Sequence, residues 1–205
     1  MFHDKRRKGL YVFISLLILT VGTFALNKVI NTGEDLPVLD EANSFVMEDA
    51  YYEPYDSNNQ KVKLLAFFYT NCPDICPLTM MDFSLLQQDL EESNLIGTEV
   101  ELVAITLDPE VDTHEVIKDY AENFNANREG WRFLLGTPEE TKRIADSFHM
   151  KYKKVEGDYI AHNTTMFLID QNNKIRGLYD MANAKERVDR EEIMNSIEKL
   201  VESKK

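Results

Sequence analysis

The sequence predicts an α/β domain built on a central mixed sheet and preceded by one N-terminal transmembrane helix. Three patterns predict it. Two apolar runs of strand character, 62–69 and 100–107, flank a segment of helical periodicity; a hairpin pattern followed by an amphipathic helix comes late; and an uncharged apolar stretch follows a basic cluster at the start of the chain.

Lys5, Arg6, Arg7 and Lys8 stand before the uncharged residues 9–26, in which Leu, Ile, Val and Phe dominate. That length is just enough to cross a bilayer, and the positive-inside rule keeps the basic side cytoplasmic and sends everything after Asn27 to the outer face. Residues 1–8 are thus a cytoplasmic tail, 9–30 a single-pass anchor in the cell membrane, 31–40 a polar tether and 41–205 an extracytoplasmic domain. A cleaved signal peptide is the alternative, with Thr23-Phe24-Ala25 as its cleavage site, and the length of the apolar run favours the anchor. No cysteine follows the run closely enough for a lipoprotein.

Within the domain, Val62 to Tyr69 and Val100 to Leu107 are nearly continuous apolar runs, as buried central strands require. Leu78, Met81, Leu85 and Leu86 recur between them at helical spacing, which makes a strand, helix, parallel strand unit. A second helix is predicted over 113–124, with Val116, Ile117, Tyr120 and Phe124 on one side, and a short strand over 131–135. Thr137-Pro138-Glu139-Glu140 then combines a cap, a first-turn proline and first-turn acids, opening a helix toward Met150. Residues 164–170 and 174–179 flank the turn Gln171-Asn172-Asn173 as a hairpin. Ile193, Ile197, Leu200 and Val201 form the apolar stripe of a closing helix. Parallel strands early, then an antiparallel hairpin and a final helix, is the order of a thioredoxin-like domain.

Charge and cysteine content narrow the function. The 205 residues carry a net charge of −13, but residues 1–30 hold five of the 23 Lys+Arg and only one of the 36 Asp+Glu, so the remainder stands at 18 against 35. An acidic body has no basic face for a phosphate backbone, which argues against nucleic acid. Two cysteines cannot form a disulfide framework, and a domain of this size buries its own core, so both are free for chemistry.

Both lie in Thr70-Asn71-Cys72-Pro73-Asp74-Ile75-Cys76-Pro77, directly after the first central strand. Sites in open α/β sheets lie just beyond the carboxyl ends of strands. Pro77 suits a first helical position, which puts Cys76 at a helix N-terminus, where unpaired N–H groups favour a thiolate. A low-pKa thiolate is both a nucleophile and a soft metal ligand, and two thiolates meet the needs of Cu(I) better than those of zinc. Among the four histidines, His3 is in the tail, His114 opens a helix and His149 closes another; His162 stands just ahead of an apolar strand, opposite the cysteine loop in a thioredoxin-like arrangement. Met80 and Met81 read as core or rim residues.

Thr70-x-Cys72-Pro73-x-x-Cys76-Pro77 joined to His162, with Asp108-Pro109-Glu110-Val111-Asp112-Thr113 after the second central strand, resembles the Sco/SenC family of membrane-anchored, thioredoxin-like copper proteins of cytochrome c oxidase assembly. The resemblance spans the chain from the anchor to the last helix. It implies that Cys72, Cys76 and His162 bind copper, as Cu(I) and also Cu(II), and that Cys72 and Cys76 form a redox-active pair. Asp108 is implied as a nearby acidic residue in contact with the site or a partner; its residue-level alternative is a strand-ending turn, with Asp112 or Thr113 capping the next helix. The partners implied are cytochrome c oxidase subunit II and a further copper chaperone or thiol reductant. Ala161 departs from the pattern, since many members have an acidic residue just before the histidine.

Two functions follow: a metallochaperone for the dinuclear copper centre of subunit II, or a thiol-disulfide oxidoreductase that reduces the target cysteines of that centre. Three residues between the cysteines, with no proline before the facing strand, favour metal capture. The supporting residues of a thiol peroxidase are missing.

Overall fold

The structure is a computed structural model that describes residues 35–203 other than 158. From Leu36 onward the described residues form one compact unit. The predicted tail and anchor lie outside the described residues, and among the described residues no helix is long and apolar enough to cross a membrane.

Strand β4 (Val62–Phe68) and strand β5 (Val100–Thr106) are buried at every position and pair in parallel from Val62↔Val100 to Phe68↔Thr106. Burial on both faces explains their nearly continuous apolar character, interrupted only by Lys63 and Glu101, and each fully buried Leu or Phe adds about 1.5–3 kcal/mol. Strand β6 (Trp131–Leu135) continues the parallel set beside β5. On the other side, β9 (Thr165–Ile169) runs antiparallel to β4 and forms the expected hairpin with β10 (Lys174–Asp180). Three short strands complete the sheet: β1 (Asp40–Glu41) on β10, β2 (Val46–Asp49) on β6, and β3 (Pro54–Asp56) on β2. The result is one mixed eight-stranded sheet in the order β1-β10-β9-β4-β5-β6-β2-β3, with β7 (Tyr152–Lys154) and β8 (Ile160–His162) as a separate antiparallel pair.

Among the described residues, four helices, α1 (Ile75–Glu92), α2 (His114–Glu122), α3 (Pro138–Ser147) and α4 (Arg190–Glu202), accompany the sheet. Helix α3 opens with a full capping box, Thr137 accepting from the Glu140 N–H and Glu140 from the Thr137 N–H. The stripe Ile193, Ile197, Leu200 and Val201 is buried as its spacing predicts. Helix α1 starts earlier than the sequence suggests. Its first residue is Ile75, so Pro77 is the third helical residue, a position whose N–H would lack an intrahelical partner anyway. The N-terminal strands β1 to β3 escape prediction because they are only two to four residues long and rich in acidic residues, too short to show a period. From Leu36 the chain is already bonded along β10: Leu39 N–H donates to the Ile175 carbonyl, and Arg176 donates to the Leu36 and Pro37 carbonyls.

Candidate metal centre

The carboxyl end of β4 positions the cysteines. Just past it, Thr70 is gripped by the buried carboxylate of Asp112, which accepts from the Thr70 N–H at 3.2 Å, from the Thr70 hydroxyl and from the Thr106 hydroxyl at the end of β5. Cys72 N–H donates to the Tyr69 carbonyl at 3.2 Å, closing the turn. Asp74 occupies the cap position of α1 without a side-chain cap bond. The Cys72 sulfur takes that part, accepting from the Cys76 N–H at 3.4 Å.

This arrangement makes the two thiols unequal. The Cys76 thiol donating to Cys72, the N–H groups of Asp74 and Cys76, and the Tyr69 hydroxyl all favour a Cys72 thiolate, lowering its pKa to about 5 against the effect of burial. Cys76 is fully buried. Its hydrogen bond to Cys72, burial and the Cys72 charge hold its proton, so its pKa moves up. Burial, followed by the Cys72 charge and the hydrogen bond to it, raises Tyr69 to about 12, partly countered by the Ile160 N–H. Both cysteines are free, so this is the dithiol state.

His162 ends β8, opposite Tyr152 of β7. Its Nδ1 lies 2.7 Å from the Asn163 carbonyl. A carbonyl only accepts, so Nδ1 carries the proton and, in the neutral ring, Nε2 keeps a free lone pair, the form a metal ligand requires. The imidazole meets the Tyr69 ring edge to face at 6.2 Å between centroids. Tyr69 therefore touches both the Cys72 sulfur and the imidazole. Among the described residues no three His, Cys, Asp or Glu side chains are gathered closely enough to hold a metal ion. The two cysteines are adjacent, and His162 is near their loop without closing on it.

Asp108 is buried. Its carbonyl accepts from the N–H groups of Val111 and Asp112, the strand-ending turn that the sequence suggests, and its carboxylate lies 3.3 and 3.4 Å from Lys154 Nζ on β7. Thr113 caps α2, accepting from the Val116 N–H, which leaves Asp112 for the cysteine loop. His114 stacks on Tyr52 and bonds Glu48, and His149 is exposed beside Asp40. Met80 is buried and Met81 exposed.

Sequence reasoning missed Tyr69 and the grip of Asp112. A signal existed for Tyr69, a hydroxyl-bearing aromatic at the end of the apolar run, just past β4 and directly before the cysteine loop. It also missed Tyr120, whose hydroxyl is buried without a hydrogen-bond partner and whose ring stacks on Phe68 at 5.5 Å between centroids.

A mixed sheet carrying a dithiol loop beyond its central strand, with an imidazole across from it, defines a thioredoxin-like dithiol protein equipped with a third donor. Residues 40–202 match the SCO1/SenC family, and the chain belongs to that family. It is 30% identical over 194 residues to a SCO2-like protein of Rickettsia typhi, covering 85% of this chain and 92% of the relative. Among solved structures it is similar to copper-bound ScoI of Arabidopsis thaliana, with TM-score 0.64 and 25% identity over 77% of this chain and 98% of that one. It also shares the fold of BsSco, described as a Sco-family cytochrome c oxidase assembly protein with a disulfide switch, at TM-score 0.70 and 24% identity over 82% and 98% of the two chains.

Proposed function

We propose that this protein is a copper chaperone of cytochrome c oxidase assembly that binds copper through Cys72, Cys76 and His162 and delivers it to the dinuclear copper centre of subunit II. The observation that carries the reading is the pair of free thiols beyond β4, the Cys72 sulfur accepting from the N–H of Cys76 in the first turn of α1 at 3.4 Å. Two sulfurs and one imidazole nitrogen form a soft donor set that suits Cu(I) and also serves Cu(II). The copper-bound Arabidopsis relative supports the choice of metal. The basic cluster before residues 9–26 supports a single-pass anchor, with the domain, 41–205, on the outer face of the membrane.

Copper added to the reduced protein should load one ion per chain. His162→Ala should leave binding through two sulfurs, weakened about tenfold or more, about 1.4 kcal/mol. Unchanged affinity in that variant removes His162 from the ligand set.

A second reading is favoured by the inequality of the thiols. An accessible thiolate beside a buried thiol is also the arrangement of a dithiol reductant. The Cys72 thiolate would attack a target disulfide, forming a mixed disulfide and releasing one target thiolate. Cys76, losing its proton, would then displace the second, leaving Cys72–Cys76 oxidised by two electrons and the target dithiol reduced. Cells lacking the protein separate the two readings: added copper restores oxidase activity if delivery is the role, and a small-molecule reductant restores it if reduction is.

A further inference from the structure

The turn that follows β5 touches both halves of the candidate centre. At one end, Asp112 grips Thr70 at the mouth of the cysteine loop. At the other, Asp108 reaches Lys154 on β7, the strand paired with the one that ends in His162. β7 and β8 stand outside the eight-stranded sheet and share no ladder with it, so beyond the packing of Ile160 and Tyr152 against the core their register depends on side-chain ties such as this one. Among the described residues, Lys154 is its charged link to the body of the domain. The Asp108 side chain is only 6% exposed and its backbone is fixed by the turn, so it is a rigid post, while Lys154, 43% exposed, is the movable partner.

We propose that Asp108 and Lys154 are positioning residues for copper capture: their ion pair registers the β7–β8 hairpin against the 108–112 turn and so keeps the His162 imidazole within reach of the cysteine loop. The inference rests on the ligand set proposed above. Because His162 is close to the loop without closing on it, its contribution to affinity depends on how narrowly the hairpin is confined. Releasing the hairpin lowers the effective concentration of the imidazole and leaves the thiols untouched.

The test uses the reduced full-length protein in detergent, with Cu(I) affinity measured by competition against a coloured chelator. Asp108→Asn and Lys154→Met should each weaken binding about tenfold, toward the level of His162→Ala, whereas Lys154→Arg should stay within about twofold of the wild type. In the His162→Ala background, Lys154→Met should bring no further loss, since its effect passes through the imidazole. In the metal-free protein, Lys154→Met should speed amide hydrogen exchange in β7 and β8 and leave the first turn of α1 unchanged. Wild-type affinity in both single variants, tighter binding in Lys154→Met, or an additional loss in the His162→Ala background would each overturn the positioning role while leaving the ligand set standing. Equal affinity of the wild type and His162→Ala is distinguishable from these, since it overturns the ligand set and the positioning role together.

Discussion

The cysteine loop and the histidine hairpin supply donors to one candidate centre, yet they are built in opposite ways. The loop emerges from β4, buried at every position and flanked by strands on both sides, and its first residue is gripped by a buried carboxylate. The hairpin is a separate two-stranded ladder, tied to the body by Ile160 in the core, by Tyr152 packed against it, by Lys154 and by the contacts of Tyr69. Of the three proposed donors, two are held at the end of a central strand and the third ends a strand pair outside the main sheet. On the copper-carrier reading proposed above, such a division lets the sulfurs determine what is bound and the imidazole adjust how tightly it is held.

The largest effect that sharpens this contrast should come from the fixed side. Cys72→Ser or Cys76→Ser should lower copper affinity beyond about a thousandfold, some 4 kcal/mol, as a chelator competition would show. The hairpin variants lose only about tenfold, so a comparable loss from both regions would erase the distinction between them.

Next comes the support beneath the loop. Asp112→Ala strips acceptors from the Thr70 N–H and from two hydroxyls, which should cost about 2–3 kcal/mol and lower the melting temperature by about 5–10 °C. Lys154→Met, on the hairpin, should change it by no more than about 2 °C. Thermal unfolding followed by circular dichroism reads both.

Lys63 tests the opposite end of the same strand. Burial lowers its pKa from 10.5 to about 8. The folded state therefore binds this proton less tightly than the unfolded chain, a penalty fully present below pH 8 and relieved as pH rises toward 10.5. Lys63→Met should stabilise the protein at pH 7 by about 1–3 kcal/mol, the gain fading between pH 8 and 10.5, with copper affinity unchanged. A loss of affinity would mean that the core does not insulate the loop.

A smaller effect distinguishes the two thiols themselves. Alkylation of native, metal-free protein should modify Cys72 with a pH midpoint near 5, while Cys76 reacts only after unfolding. Mass spectrometry of digested peptides reports each site, and equal reactivity would contradict the inequality of the pair.

The contrast between the two regions also governs what could be read from the sequence. Strands β4 and β5 declare themselves because burial on both faces keeps their runs nearly all apolar, and Thr137-Pro138-Glu139-Glu140 announces α3 because its cap bonds are local. Both cysteines stand out by chemical type, and His162 by its place just ahead of an apolar strand. The β7–β8 hairpin does not, since Tyr152-Lys153-Lys154 is polar and its partner strand has three residues. Asp112 looked as suitable for a helix cap as Thr113 did; only the fold shows that Thr70 and Thr106 claim it. The start of α1 was placed late because Pro77 fits the first turn at several positions, and the cap bond that marks the true start comes from the Cys72 sulfur, a donor–acceptor pairing that no local cap pattern encodes.

X-ray absorption of the copper-loaded protein, with metal content measured on the same sample, tests the central claim most directly. The account predicts one copper per chain with two sulfur donors and one imidazole nitrogen, the nitrogen disappearing in His162→Ala. A copper site without sulfur, or with the same nitrogen donors in His162→Ala as in the wild type, would contradict it.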